Sequence, residues 1–499
     1  MKEGLNRPTV YQIFQHLLNK DDKLNDVVVR VTAGRQLKNI VDPFEFTAES
    51  FIPYATGILG ALMSLIEEVD LPETKMALLN TISVIVVRME HHISPFADQI
   101  ISLLPPLWSQ AGEEYLMKQS ILTILAALIT AMKDESRRYH PLILPLIQSS
   151  IEPGSETQVY LLEDALDLWS AILVQTPAPA SSSLLSLSQY LFPIFDLATE
   201  NLRKALEITE SYLILAPSEI LADETRTRFL TAFTSLLGTL KRDANGVITH
   251  LVEILVRAAE SIGGSDAVAV LTTSLVSTGF LSKLLAGLRS SHDAHQTTGP
   301  NRTHAPIDGV VETDYLAVLA RIAFASPDLL VHAIAATLAP PAHDLPSTMH
   351  WLLAEWFGHF ENIADPKRRK LMCLALTNLL ALPPAHHGWV LARLQELMTV
   401  WTDVVAELME GVDDRDGADC LVYWDADGLK GEGPEAPEEE RRRDLVFGDP
   451  VHRVDVRGFV RERLREVVRA CGGEEAFERD WLADVDRDVV AGFGALGVL

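Results

Sequence analysis

The sequence predicts an all-α chain: an α-solenoid of antiparallel helix pairs wound as a right-handed superhelix. Three observations carry this expectation. Apolar residues recur at steps of three and four over most of residues 24–290, several of these segments are apolar on more than one face, and a proline beside apolar or aromatic residues returns at near-regular intervals. Steps of three and four put side chains on one helical stripe. A helix apolar nearly all round must be covered on several sides, which stacking between neighbouring pairs provides.

The elements follow in order. Residues 27–31 are β-branched but lie in a helical pattern that continues to Ile40. Met76, Leu79, Ile82, Val86 and Met89 form one face; Met117, Ile121, Ile124, Leu128 and Met132 form the next, and Leu161, Ala165, Leu168 and Ile172 a third. The recurring marks are Phe51-Ile52-Pro53-Tyr54, Ile93-Ser94-Pro95-Phe96, Tyr139-His140-Pro141-Leu142 and Tyr190-Leu191-Phe192-Pro193, whose prolines are 42, 46 and 52 residues apart. Proline is tolerated in a first turn, so each mark is expected to open the second helix of a pair. Repeats of about 40–47 residues built from two or three helices are HEAT or armadillo units, so the pairs are read as HEAT-type. Polar turns such as Asp70-Leu71-Pro72-Glu73 close the helices, and strand signals are nearly absent.

Residues 1–410 are expected to form one HEAT-repeat solenoid with a polar loop near 290–311, marked by the polar run 290–301. Pro340-Pro341 marks a turn before the next helix. Residues 411–449 are acidic and poor in apolar groups and are expected to be a disordered loop. Within them, Glu438 with Arg442 and Glu439 with Arg443 have the i,i+4 spacing of a short solvated helix. Residues 450–499 are expected to be C-terminal helices: an amphipathic, Arg-rich one over 454–470 and another over 475–490.

Composition excludes several classes. The net charge is −27 over 499 residues, which opposes binding to nucleic acid phosphates. The longest apolar runs, such as 121–132, are near a dozen residues, so no membrane insertion is expected. The opening MKEGLNRPTVYQIF lacks the apolar core of a secretory signal. Cys373, Cys420 and Cys471 are too far apart for a disulfide framework or a CxxC metal site, which suits a reducing compartment. Asn301-Arg302-Thr303 has the letters of a glycosylation sequon, without a secretory context to use it.

Catalytic constellations are weak, and the chain is expected not to be an enzyme: no catalytic, cofactor-binding or metal-ligating residue is assigned, and no cofactor. The run from Gly492 to Gly497 has the letters GxGxxG but no strand before it and no helix after it. His91-His92 and His386-His387 are adjacent pairs, whose side chains point about 100° apart on a helix and cannot clamp one metal from one face. Glu163, Asp164 and Asp167 read as a solvated face or an inter-helix hydrogen bond, and Trp108, Trp169, Trp351 and Trp356 as core. Arg441-Arg442-Arg443 follows three glutamates and reads as a self-paired helix.

Specific strings then resemble the central and C-terminal repeats of importin-β (karyopherin-β) nuclear transport receptors, closest to the importin-11 branch. They are Asp42-Pro43-Phe44-Glu45-Phe46, Thr74-Lys75-Met76, Leu104-Pro105-Pro106-Leu107-Trp108, residues 159–169 from Val159-Tyr160 to Leu168-Trp169, and Glu200-Asn201-Leu202-Arg203. Trp356-Phe357-Gly358-His359-Phe360-Glu361-Asn362-Ile363 and Pro366-Lys367-Arg368-Arg369-Lys370-Leu371 resemble late repeats of the same group. The resemblance covers roughly residues 24–410, with gaps. It implies a receptor of cytoplasm, nucleus and nuclear envelope that holds protein cargo, brushes past phenylalanine-glycine nucleoporins and is reset by Ran-GTP. Family members are roughly twice this length and bind Ran mainly through N-terminal repeats. The chain is therefore expected to begin in mid-solenoid, with the main Ran-GTP site outside it. Cargo-binding residues are unknown, because none transfers position by position. The acidity makes basic protein cargo the electrostatically sensible class. The alternative is a HEAT-repeat scaffold organising a cytosolic complex, which periodicity fits equally well.

Overall fold

The computed structural model describes residues 7–43, 45–197, 200–238, 242–297, 304–338, 344–409 and 435–497, and among them no strand occurs. The chain divides into two compact units, Met1–Leu215 with Ala436–Glu440, and Ala216–Glu435 with Arg441–Leu499. The solenoid expected as one body over 1–410 is thus divided where Ala216 leaves helical geometry and Pro217 starts a new helix.

The first unit contains α1 (Arg7–Leu18), α2 (Val27–Val41), α3 (Ala48–Glu68), α4 (Pro72–Met89), α5 (Ser94–Ala111), α6 (Tyr115–Met132), α7 (His140–Ser150), α8 (Glu156–Gln175), α9 (Ser182–Leu187), α10 (Leu191–Asp196) and α11 (Leu202–Leu215). Helices α2, α4, α6, α8 and α11 pack side by side in one layer, and each also packs on the helix preceding it in sequence. The proline-marked helices are consequently the first members of the pairs, not the second. Pro95 and Pro141 sit in first turns as expected, whereas Pro53 lies inside α3. Asp26 and Ser155 cap α2 and α8 through the amides of Val29 and Gln158 at 2.8 and 3.1 Å. Glu90 and Lys133 end α4 and α6 at the same point of successive repeats, with φ of 49° and 54°. Each then opens a 3-10 turn leading to the next helix. Gly34 marks the closest approach of α2 to α4: a Cβ there would lie 2.5 Å from Leu78 Cδ2, and Thr81 donates to its carbonyl at 3.1 Å.

The three apolar faces read from the sequence are buried, apart from a partly exposed Met76. Tyr11 and Leu18 of α1 are buried as well, and Phe14 and Leu17 half-buried. One expectation is corrected. Residues Ala48–Glu68 and the run Tyr115–Ser150 are long and apolar enough, by length and composition, to cross a membrane. Counting uninterrupted apolar runs missed them because Ser, Thr, Gly and Tyr break the runs without making the segment polar. The second run is broken by the turn at Lys133, and its Ile121, Leu125 and Leu128 are buried where α6 meets α4 and α8.

The second unit holds α12 (Pro217–Ile220), α13 (Asp223–Leu236), α14 (Arg242–Ser277), α15 (Phe280–His295), α16 (Gly309–Ala325), α17 (Pro327–Thr337), α18 (Leu345–Gly358), α19 (Pro366–Asn378), α20 (His387–Leu391) and α21 (Leu394–Met409). After the acidic stretch come α22 (Pro437–Phe447), whose residues up to Glu440 group with the first unit, and then α23 (Pro450–Arg453), α24 (Val456–Ala470), α25 (Glu474–Asp480) and α26 (Arg487–Ala495). Helix α14 is interrupted at Gly263-Gly264, where Gly264 takes φ 59°. Helices α14, α16, α19 and α21 pack in series, and α26 closes against α21.

Three boundaries differ from expectation. Helix α15 runs to His295 through the start of the expected polar loop, because Ser291 and Ala294 are buried in its face. Residues 298–303, with the sequon, lie outside the described residues. The helix expected over 475–490 is two, parted at Trp481 and a 3-10 turn, with Asp486 capping α26 through the Asp488 amide at 2.8 Å. In the expected acidic loop 411–449, residues 411–434 lie outside the described residues, and α22 is helical.

The end of that stretch is anchored. Asp449 is fully buried and caps α23 through the Val451 amide at 3.0 Å. Arg321 of α16 donates to both its carboxylate oxygens, at 2.9 and 2.8 Å, while Lys367 Nζ and Arg257 Nε stand 3.4 and 3.5 Å away. Glu253 receives the same Arg321 at 3.4 Å. Burial alone would raise the Asp449 pKa, but Arg321, then Arg257 and Lys367, hold it far below the carboxylate range. Burial lowers Arg257 to about 10 against the pull of Asp449.

Candidate docking surface

In the first unit, the layer α2, α4, α6, α8 presents an apolar row at its helix N-termini. Val27 and Val28 open α2; Leu71 stands at the N-cap of α4; Tyr115 and Leu116 open α6; Val159 and Tyr160 lie in the first turn and a half of α8. Val28, Leu71, Leu116 and Val159 are 71%, 68%, 64% and 78% exposed, so this row is left uncovered by the fold. The spacing along the sequence is one repeat per helix. Tyr115 and Tyr160 stack at 4.4 Å between centroids, and Gln119 donates to the Tyr160 carbonyl at 3.0 Å, which ties adjacent steps together. Nearby, Lys118 sits over both Tyr115 and the half-buried Trp108, at 5.7 and 5.3 Å.

The geometry of such a row selects an occupant. Packed helices are about 8–10 Å apart. An extended chain rises about 3.3 Å per residue, so every third residue advances about 10 Å. A peptide crossing the helices in extended form therefore meets one apolar step per three residues. Exposed apolar groups arrayed this way are characteristic of interaction sites.

Beside this row the outer stripe of α8 is acidic. Tyr160, Glu163, Asp164 and Asp167 share it, with Leu161, Leu162, Ala165 and Leu166 buried behind. Asp167 pairs with Lys204 at 3.0 Å. Asp164 is half-buried and its pKa is raised, chiefly by burial, against a stabilising hydrogen bond from Gln119. Of the carboxylates singled out in the sequence, Glu163 and Asp167 are exposed and Asp164 is half-buried, next to an apolar step.

A second surface lies within the second unit. Trp401, Leu464, Val468, Phe477 and Phe493 line a groove of about 600 Å³, rimmed by Arg461, Arg465 and Arg469 of α24. The i,i+4 arginines of α24 collect on one edge, and Glu474 and Glu478 of α25 line the same groove.

The other residues noted in the sequence do not converge. His91 and His92 stack on each other in a turn; His386 stacks on Trp389 at 4.2 Å, while buried His387 bonds the Leu382 carbonyl at 2.6 Å. Trp169, Trp351 and Trp356 are core. Gly492 and Gly494 lie inside α26, which is not the strand-turn-helix of a dinucleotide site. Arg441, Arg442 and Arg443 lie on α22, where Arg443 pairs with Glu435. Cys373 is buried, Cys471 half-buried and Cys420 outside the described residues. The apolar row escaped sequence reading because each member is one exposed residue in a first turn; only the repeat length, applied residue by residue, would have aligned them.

Helices packed in pairs and in series define a helical-repeat protein. A profile of importin-11-like TPR repeats matches residues 119–498, and one of importin subunit beta-1-like TPR repeats matches residues 55–166. The chain belongs to the importin-11-like family of importin-β-type repeat proteins. It is 27% identical to mouse importin-11 over 496 residues, covering 97% of this chain and 46% of the relative. The importin beta-like protein kap113 of Schizosaccharomyces pombe is 26% identical, over 98% of this chain and 46% of the relative. The chain thus spans about half the length of the curated relatives it matches. Among solved structures, Lph2 of S. cerevisiae, described as a bidirectional nuclear transport receptor, superimposes with a TM-score of 0.80 at 21% identity, over 98% of this chain and 49% of that one. That likeness establishes the repeat fold.

Proposed function

We propose that this chain acts in nuclear transport as the cargo- and pore-contacting part of an importin-11-like receptor. It carries protein cargo between cytoplasm and nucleus, through the nuclear envelope, in a Ran-dependent cycle and without catalysis. The observation that carries the reading is the apolar row at the N-termini of α2, α4, α6 and α8, exposed and repeated once per helix. Its exposed apolar steps suit an extended segment bearing phenylalanines, the chemistry of phenylalanine-glycine nucleoporins. The acidic stripe of α8 and the net charge of −27 favour basic cargo. Ran-GTP binds this chain weakly in this reading, its main site lying in repeats the chain does not contain.

A panel of basic and neutral nuclear proteins, titrated onto the chain at low and high salt, tests the cargo half. Binding that favours basic members at 0.1 M salt and weakens toward 1 M, where the Debye length falls from about 10 to about 3 Å, supports it. Equal binding of both classes at low salt leaves the charge a solubility device. A scaffold in a cytosolic complex would bind neither pore repeats nor Ran-GTP.

A further inference from the structure

We propose that His295, Glu312, Glu355 and His359, all in the second unit, form a binding site for one zinc ion. The four come from the end of α15, the first turn of α16, and the end of α18 with the residue after it. One ligand atom from each lies within 4.8 Å of all the others. Glu355 Oε2 is 3.1 Å from His359 Nε2 and 3.4 Å from His295 Nδ1, while His295 Nε2 is 4.0 Å from Glu312 Oε1. His359 Nε2 also pairs with Glu312 Oε2. Ligands about 2.1 Å from a tetrahedral zinc stand about 3.4 Å apart, so the side chains are already at near-ligating separations.

Burial makes the argument for a cation. Glu312 is fully buried and Glu355 is 7% exposed, so two carboxylates face one point with little water. Glu312 Oε2 meets His359 Nε2 and Glu312 Oε1 lies 4.0 Å from His295 Nε2, so imidazole nitrogens are the close polar neighbours of this buried carboxylate. Two buried carboxylates repel and are costly unless compensated. A dication neutralises both and takes lone pairs from neutral imidazoles. Mixed nitrogen and oxygen ligands select zinc-like ions over calcium and magnesium, which prefer oxygen alone.

The surroundings are those of a supported site. His292 Nδ1 meets Glu355 Oε1 at 2.5 Å, fixing the carboxylate. Asn362 Nδ2 lies 2.9 Å from His359 Nδ1 and holds the ring with Nε2 toward the carboxylates. Gly309 leaves room beside them: a Cβ there would lie 3.2 Å from Asn362 Nδ2. The His295 side chain is 42% exposed, which gives an ion a path from solvent. Zinc there would fasten α15, α16 and α18 together.

The test uses the full chain, stripped with a chelator, dialysed, and titrated with zinc by calorimetry, with cobalt(II) as a visible ligand-field probe. The expected result is one zinc per chain, a cobalt absorption band and a higher Tm. His295→Ala, at the surface and tolerable to the fold, weakens zinc at least about tenfold while the metal-free Tm stays unchanged. Glu312→Gln does the same if it folds, and His91→Ala with His92→Ala leaves binding intact. No saturable zinc binding, or binding of unchanged affinity in His295→Ala, overturns the proposal.

Discussion

Replacing Asp449 by Asn removes one charge and almost no volume from the middle of the second unit. The carboxylate is fully buried, receives two bonds from Arg321 and faces Arg257 and Lys367 within 3.5 Å. Asparagine retains an oxygen for the Val451 amide but leaves three cations facing one another, with Glu253 the nearest remaining counter-charge to Arg321. Breaking a buried ion pair by removing one partner costs about 3–5 kcal/mol, and that is the expected loss here. Because the chain has two units, the assay is urea-dependent hydrogen exchange read in peptides of α16 and α19. The pH behaviour follows from the sign of the shift. Asp449 has a depressed pKa in the folded state, so its contribution is present above the unfolded value of about 3.9 and is lost as pH falls below it. The wild type should lose stability more steeply than Asp449→Asn between about pH 4 and pH 2. A loss under about 1 kcal/mol, or identical acid profiles, would refute the claim that this network anchors the C-terminal segment.

Three further outcomes follow from the packing. Tyr212→Phe strips the acceptor from Trp169 Nε1–H, 2.9 Å away, and the donor from the Leu184 carbonyl, 2.7 Å away; with both groups buried the first unit should lose at least about 2 kcal/mol in urea unfolding followed through α8. Lys133→Gly relieves a non-glycine residue at φ 54° and should raise stability by about 1 kcal/mol, read as a higher Tm. In a Cys420→Ser background a thiol reagent should modify half-buried Cys471 and not native Cys373, which is fully buried with its thiol pushed up to about 12 chiefly by that burial; prompt labelling of both would contradict the packing around α19.

The helices were legible where the pattern was local. The faces of α4, α6 and α8 were readable because a stripe of three-and-four spacing reports one buried side. The start of each pair was misread by one helix, since a proline mark fixes where a helix begins and not which neighbour it packs on. Asp449 and Ser291 were read as loop residues because composition describes a segment's average, while a single partner 128 residues away in sequence decides the burial of Asp449. The docking row and the His/Glu cluster were hidden for the same reason. Their members are ordinary residues in sequence and become a surface or a site only when the layers stack. Of the α8 carboxylates, Glu163 and Asp167 are exposed because they oppose the buried stripe of the same helix, while Asp164 is half-buried and receives Gln119 of α6.

The account rests on the row at the head of α2, α4, α6 and α8, and one titration tests it most directly. A fluorescent phenylalanine-glycine repeat peptide is titrated by anisotropy with the wild-type chain and with a chain carrying Val28→Ser, Leu71→Ser, Leu116→Ser and Val159→Ser. All four residues are exposed, so the fold and Tm should hold. The account predicts saturable binding to the wild type and at least about a tenfold loss in the variant, the equivalent of about 1.4 kcal/mol. Equal binding by both chains, or none by the wild type, would contradict it.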